Sequence, residues 1–581
     1  MQRRIDTVLY LVMRRMRLPL VLLISAYAVA VLGLTLMPGV DDQGEPWRLD
    51  FFHAFYFVSY MATTIGFGEL PFPFSPAQRW WTLFSIYLTV VVWFYAIGKI
   101  LALVQDPAFR LAVEELAFTR SVRALKQPFY IVAGYGETGS LLVRLLAERG
   151  LHAIVLDKEP LRIQELQLAA LPLSVPALCG DASQVQVLEE AGLQRPNCRG
   201  VVALTDDDQV NLKIAITSKL LSPNLPVMCR AERADTVANM VSFGTDSVID
   251  PFTLFGRRIA LALHSPGTYL LRAWLTGGPG SALPDPLYPV RGRWVLCGYG
   301  RFGKAVRRGL QHEAMATTII EADPDATGCR GFAIDGRGTE AETLEAAEIA
   351  TATGIVAGTD NDVDNLSILI TAKSLNPALF CVARQNRNDN QALFEAANID
   401  LTMQRSHIIA EDIFALLMTP QLSIFFAESE QQDNGWANEV LSRILAITDR
   451  VPEVWSLRLN RSEAPEVCRL IEEGVTLTLD TLLRDMRDRE QRLPLLPLLL
   501  LRSQPEGMRG RRKHQAQVMP AADEPLRYAD ELLLCAPIGV RPLFASNCSN
   551  LNTLRYVVSG ESRPDGVVWH WLAARQARRQ P

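Results

Sequence analysis

Two long apolar runs near the start of the chain set its pattern. Leu18 to Met37 carries no charged residue, and a helix of that length crosses a hydrocarbon core of about 30 Å. Trp80 to Gly98 is the second uncharged run and is rich in aromatics; Trp80 and Trp81 suit the outer interface. Between them, Phe51 to Met61 is apolar and aromatic but too short to span. With Asp50 as its cap, it predicts a short helix that enters the membrane and turns back. Leu70-Pro71-Phe72-Pro73-Phe74-Ser75-Pro76 cannot continue a helix, because its prolines lack the N–H and clash with the preceding turn. It reads as the climb back to the outer surface. Arg3, Arg4, Arg14, Arg15 and Arg17 precede the first run, and Lys99 and Arg110 follow the second, which puts both ends of this part in the cytoplasm. A cleaved signal peptide is the rival reading. The long apolar run, the lack of a small-residue cleavage site and the second span speak against it.

Beyond residue 127 the pattern changes. Phe129 to Ala133 is a short buried strand leading into Gly134-Tyr135-Gly136-Glu137-Thr138-Gly139, then an amphipathic helix, then a second strand, Ala153 to Leu156, ending at Asp157. Strand, G-x-G-x-x-G turn, helix, strand and acid make the dinucleotide-binding fingerprint in its required context. The glycines let the backbone approach a pyrophosphate at the helix N-terminus, and Asp157 sits where a carboxylate accepts ribose hydroxyls. The arrangement returns at Trp294 to Cys297, followed by Gly298-Tyr299-Gly300-Arg301-Phe302-Gly303, with Glu321 in the place of Asp157. Gly200 to Asp206 answers Gly354 to Asp360, Asn211 answers Asn365, Arg230 answers Arg384 and Pro266 answers Pro420. A duplication over about 130 residues follows.

The expected fold class is multidomain: an α-helical two-span membrane domain, two α/β Rossmann-like domains, and a small α+β C-terminal region. The expected boundaries are 1–17 N-terminal segment, 18–104 two-helix membrane domain with its re-entrant loop, 105–127 helical linker, 128–275 first Rossmann domain, 276–292 linker, 293–425 second Rossmann unit with its arm, and 426–581 C-terminal subdomain and tail. Each Rossmann unit is followed by a helical arm, at 251–275 and 405–425. In the C-terminal region Val454 to Leu459, Leu495 to Leu501 and Glu531 to Ala536 read as strands, the first and last as edges of a small β-rich subdomain. Arg509 to His514 reads as a solvated basic loop, and Arg575, Arg578 and Arg579 as a tail.

Composition narrows the function. Of 581 residues 49% are hydrophobic, and the net charge is −5; with no basic tract, nucleic acid is not an expected partner. The nine scattered cysteines show no metal spacing and read as reduced core residues.

The stretch Thr63-Thr64-Ile65-Gly66-Phe67-Gly68-Glu69 resembles the selectivity filter of potassium channels, written Thr-x-Gly-Tyr/Phe-Gly-Asp. Four such loops replace an ion's water with carbonyl oxygens, and glycine supplies backbone angles that side chains resist. The resemblance implies that the carbonyls of Thr64, Ile65, Gly66 and Phe67 and the Thr64 hydroxyl are the ion ligands, with Gly68 completing the loop. Phe67 and Glu69 depart from the common tyrosine and aspartate. Gly98, near the inner end of the second span, is either a gating hinge or a close helix contact.

Two fingerprints behind such a pore resemble the RCK domains (regulators of potassium conductance) of prokaryotic ligand-gated channels, closest to those with two spans and tandem RCK domains. The resemblance implies a multi-pass homotetramer in the inner membrane, in contact with lipid, both termini cytoplasmic, with eight RCK domains in a ring. It implies a nucleotide, NAD(H) or an adenine nucleotide, at Gly134–Gly139, Asp157 and Asp181 of the first copy, and at Gly298–Gly303 and Glu321 of the second. Arg337, after the third strand of the second copy, is expected to reject or reposition a ligand. Calcium has little in its favour, since Asp206, Asp207 and Asp208 lack the alternating spacing of a calcium loop; Asp206 is expected at a structural or nucleotide-edge position. The expected function is a ligand-gated potassium channel, not an enzyme. The alternatives are a non-conducting nucleotide or redox sensor for a transporter, and a membrane-anchored oxidoreductase, for which no substrate domain is evident.

Overall fold

A computed structural model describes residues 2–69, 71–278, 280–503 and 514–560. Leu70, most of the basic loop at 509–514, and Arg575, Arg578 and Arg579 lie outside the described residues. The chain forms two compact units. One comprises Met1–Pro128, Ile154–Ile163 and Val175–Asn197; the other comprises Phe129–Ala153, Gln164–Ser174 and Cys198–Pro581.

In the first unit, α1 (Gln2–Leu36) is unbroken, so the expected N-terminal segment is the start of the first long helix. α2 (Phe51–Ala62) begins where Asp50 accepts the His53 N–H at 2.8 Å. α3 (Pro76–Val104) opens on a reciprocal cap between Ser75 and Gln78. Val12–Leu36 and Pro76–Val104 are long and apolar enough to cross a membrane. Trp81 ties the two helices by donating its Nε1–H to the Ala30 carbonyl at 3.1 Å. α4 (Pro107–Ala124) is the expected helical linker. Its cap, Asp106, is ion-paired with Arg15 of α1. At its other end, Arg195 donates to the carbonyls of Val122 and Leu125, and Asn197 to those of Leu125 and Gln127. These bonds satisfy carbonyls that a helix C-terminus leaves open.

The first repeat contains β1 (Phe129–Ala133), α5 (Glu137–Glu148), β2 (His152–Asp157), β3 (Ala177–Cys179), β4 (Cys198–Ala203), β5 (Val227–Arg230), β6 (Ser247–Ile249), α6 (Pro251–His264) and α7 (Pro266–Thr276). In the first unit β2 pairs parallel with β3. In the second, β1, β4, β5 and β6 pair parallel in that order.

The second repeat lies wholly in the second unit: β7 (Arg293–Cys297), α8 (Arg301–His312), β8 (Ala316–Glu321), β9 (Ala333–Asp335), β10 (Gly354–Ala357), β11 (Phe380–Gln385), β12 (Leu401–Gln404), α9 (Arg405–Met418) and α10 (Pro420–Ser429). Its parallel sheet has the order β9-β8-β7-β10-β11-β12. The inner strands are buried on both faces, as continuous apolar runs in parallel sheets require. α10 runs past the expected boundary at 425, because Phe425, Phe426 and Ser429 are buried in the core it shares with the C-terminal region.

α6 packs on α8, and in return α9 packs on α5. At the first crossing a Cβ on Gly309 would lie 2.3 Å from the Gly256 carbonyl oxygen; only two glycines let these helices meet so closely.

Beyond α11 (Asn434–Leu445), β13 (Glu453–Arg458), β14 (Leu496–Ser503), β15 (His514–Val518) and β16 (Glu531–Ala536) form an antiparallel sheet of order β13-β16-β14-β15. The three expected strands are present. The reading of Glu531–Ala536 as an edge is corrected: β16 lies between β13 and β14, and its run from Leu532 to Ala536 is buried throughout.

Candidate functional sites: the filter loop and the two glycine loops

The end of α2 holds the filter loop. The Tyr60 carbonyl accepts the N–H groups of Ile65 at 3.0 Å and Gly66 at 3.2 Å, and the Met61 carbonyl accepts that of Thr64 at 3.0 Å. Thr64, Gly66 and Gly68 have φ of +63°, +66° and +74°. Every second residue is left-handed, and alternating hand lets successive backbone groups share one side of a loop. The glycines were legible in the sequence; Thr64 was not. A residue with a Cβ is costly in that region, by about 1–2 kcal/mol, and such strain gathers at functional sites. Among the described residues, no N–H or O–H donates to the carbonyls of Thr64, Ile65, Gly66 or Phe67. Ile65 to Glu69 are exposed in the single chain. The two departures have partners: the Phe67 ring meets Tyr60 edge-on at 6.0 Å, and Glu69 accepts from the Tyr56 hydroxyl at 3.0 Å and, through its carbonyl, from Tyr60 at 3.2 Å. α3 runs through Gly98 without a break, and a Cβ there would meet none of the described residues within 4 Å.

The two glycine loops share one geometry. Gly134 and Gly298 have φ of +100° and +92°, and a Cβ on Gly139 or Gly303 would lie 2.0 or 2.1 Å from the first glycine's carbonyl oxygen. Gly136 and Gly300 are the N-caps of α5 and α8, with open space where a Cβ would stand and no side-chain cap. Thr138 and Phe302 are buried within the first turns of those helices.

The acids differ. In the first unit Asp157 ends β2 and accepts the Glu159 N–H at 2.8 Å, and Asp181 accepts the Ser183 N–H at 2.9 Å. Gly134–Gly139 belong to the other unit. In the second repeat Glu321 is buried and turned back onto its own loop: it accepts the Tyr299 N–H at 2.5 Å and the Asp323 N–H at 3.0 Å. Tyr299 is nearly buried, its hydroxyl accepts from Arg307 at 2.7 Å, and its ring meets Phe332 edge-on at 5.8 Å. The carboxylate expected to meet a ribose is thus engaged within the protein. Arg337 is exposed.

A charged cluster joins the repeats; the sequence singled out Arg301 in the glycine loop and Arg230 and Arg384 as counterparts, but neither Glu232 nor Arg405. Glu232 is contacted by Arg230 at 2.5 Å, Arg301 at 2.7 Å and Arg405 at 3.2 Å. Arg384 lies over the Phe252 and Phe302 rings. Of the acids read as a weak calcium candidate, Asp206 pairs with Arg230 at 3.1 Å, Asp207 caps the helix Asp208–Leu221, and Asp208 accepts the N–H groups of Glu232 and Arg233. These are contacts within the protein; Asp206, expected at a structural or nucleotide-edge position, is otherwise exposed. Burial pushes the Cys229 and Cys297 thiols up to about 12, which makes them poor thiolates at neutral pH.

The ion-channel family matches residues 19–106, and the TrkA-N domain family matches residues 130–251 and 294–404. The chain joins an ion-channel domain to two TrkA-N domains. It is homologous to archaeal potassium channel proteins. It is 24% identical over 224 residues to potassium channel protein 1 of Methanocaldococcus jannaschii, covering 38% of this chain and 64% of that one. Against probable potassium channel protein 2 of the same organism it is 24% identical over 219 residues, covering 38% and 62%. The chain thus spans less than two thirds of either relative. Among solved structures, the GsuK channel bound to NAD aligns over 94% of this chain and 100% of its own, with 15% identity and a TM-score of 0.48. The TrkA-N matches fall on the two repeats, and the ion-channel match spans both apolar helices and the filter loop.

Proposed function

We propose that four copies of this chain form a potassium-selective channel in the inner membrane, gated by NAD(H) or an adenine nucleotide bound to its RCK-type domains. The observation that carries the reading is the filter loop. Its left-handed residues alternate, its carbonyls from Thr64 to Phe67 accept from no described residue, and it stands between two apolar helices. Around a four-fold axis those carbonyls and the Thr64 hydroxyl replace the hydration shell of potassium. The proposed ring has eight RCK domains; the nucleotide favours one ring shape over the other, and the pore follows by population shift. Gly98 is the proposed bend at the inner gate. α4, held by Arg195 and Asn197 at one end and by Arg15 at the other, is the element that transmits the movement. The first repeat is the primary nucleotide site, with Asp157 on the ribose and Asp181 beside it. In the second, Glu321 already accepts two backbone N–H groups in a buried place, which disfavours its turning to a ribose hydroxyl.

The test is potassium flux from full-length protein in liposomes, with NAD, NADH, ADP, ATP or calcium added in turn. Selective flux that changes with one nucleotide supports the reading. No flux under any condition favours a sensor for another transporter. Steady turnover of reduced cofactor would favour an oxidoreductase.

A further inference from the structure

The repeats pair through matching surfaces, α6 on α8 and α9 on α5. From Arg230 onward, each first-repeat residue has its counterpart 154 residues later, as Arg384 answers Arg230 and Pro420 answers Pro266. At that offset Asp412 answers Arg258, and Phe426 answers Arg272. These counterparts touch each other. Arg258 Nη2 lies 3.1 Å from Asp412 Oδ1, and the Arg272 guanidinium lies 4.6 Å from the centre of the Phe426 ring. Arg272 also reaches Asp412 at 3.3 Å. Residues that meet their own counterparts mark the local two-fold axis of the pair, and here they are largely shielded from water, with Arg258 18% and Asp412 13% exposed.

Two first repeats joined in the same way would set Arg258 against Arg258 and Arg272 against Arg272, with no acid between them. Two second repeats would set Asp412 against Asp412. Away from the axis, Arg301 meets Glu232, whereas the counterpart of Arg301 is Glu137 and that of Glu232 is Asn386. A pair of first repeats would therefore also set Glu137 against Glu232. Like charges brought together out of water cost far more than a neutral contact.

We infer that opposite charges at counterpart positions, Arg258 with Asp412 and Arg301 with Glu232, make this surface accept a second repeat as the partner of a first and reject pairing of like with like. A duplicated domain starts with identical faces; a charge swap at its axis makes it choose.

The test uses the full-length protein in detergent. R258D opposes two acids and D412R opposes two arginines; each is expected to lower the thermal transition by on the order of 5 °C. The reversed pair R258D/D412R is expected to restore it. The discriminating arm co-expresses the R258D chain and the D412R chain with different tags. Position 258 is then acidic in one chain and basic in the other, and so is position 412. Acid and base then match between chains, position 258 of one with position 412 of the other, so cross-linking with mass spectrometry is expected to find first-to-second repeat links between the tags, absent from the unaltered protein. Losses that simply add in the reversed pair, or a co-expressed sample with the unaltered link pattern, would overturn the inference.

Discussion

Glu232 of the first repeat holds Arg301 of the second at 2.7 Å, so the variable residue of the second glycine loop is drawn toward the partner repeat. Burial works to raise the Glu232 carboxyl, but the Arg230 hydrogen bond and the charges of Arg230, Arg301 and Arg405 outweigh it and hold the group below its ordinary value of 4.5. A lowered carboxylate adds stability that is fully present above that ordinary value and is lost as pH falls through the lowered one. Thermal scans at decreasing pH below about 4.5 are expected to show a loss of stability that E232Q flattens. An unchanged acid limb in E232Q would show that the cluster is not what titrates.

Gly66 and Gly68 carry φ of +66° and +74°. Alanine at either position strains the loop by about 1–2 kcal/mol, enough to turn a carbonyl away from the axis. G66A and G68A are expected to fold with unchanged helix content and to lose potassium flux by at least about tenfold. Circular dichroism and liposome flux check the two halves.

The repeats should respond differently to loss of their acids. Glu321 accepts two backbone N–H groups in a buried place, so E321A leaves them orphaned at a cost of about 1–3 kcal/mol each. It is expected to lower the thermal transition while the tighter nucleotide constant stays put. D157A is expected to weaken nucleotide binding about tenfold with little loss of stability. Calorimetry and thermal scans on both variants separate the roles; a binding loss in E321A alone would reverse them.

A Cβ on Gly256 would lie 2.5 Å from the Ala305 carbonyl oxygen of α8, and one on Gly309 would lie 2.3 Å from the Gly256 carbonyl oxygen of α6. A methyl group at 309 points into backbone rather than into a flexible side chain, so overpacking of about 1–3 kcal/mol is expected. G309A should lower the thermal transition and raise protease sensitivity between the repeats, and should leave flux through an already open pore unaffected.

The left-handed turns at Gly66, Gly68, Gly134 and Gly298 were legible because such backbone needs glycine at set spacings, and a duplicated pattern announces itself. What Glu321 does was not. Its place after β8 matched that of Asp157, but the longer side chain reaches its own loop and finds the Tyr299 N–H. The position of Glu531–Ala536 was read as an edge although an apolar run buried on both faces belongs inside a sheet. Thr64 escaped notice because nothing in a threonine's identity signals a left-handed backbone.

The amino-acid order alone determined the two apolar spans, the loop between them and the repeat, since each follows from local periodicity or backbone sterics. Only the tertiary structure decided that Glu321 turns onto its own loop, and which arginine meets which acid between the repeats. Arg258 and Asp412, and Arg405 and Glu232, stand more than a hundred residues apart in the chain, and their charges interact through space and leave no mark in local spacing.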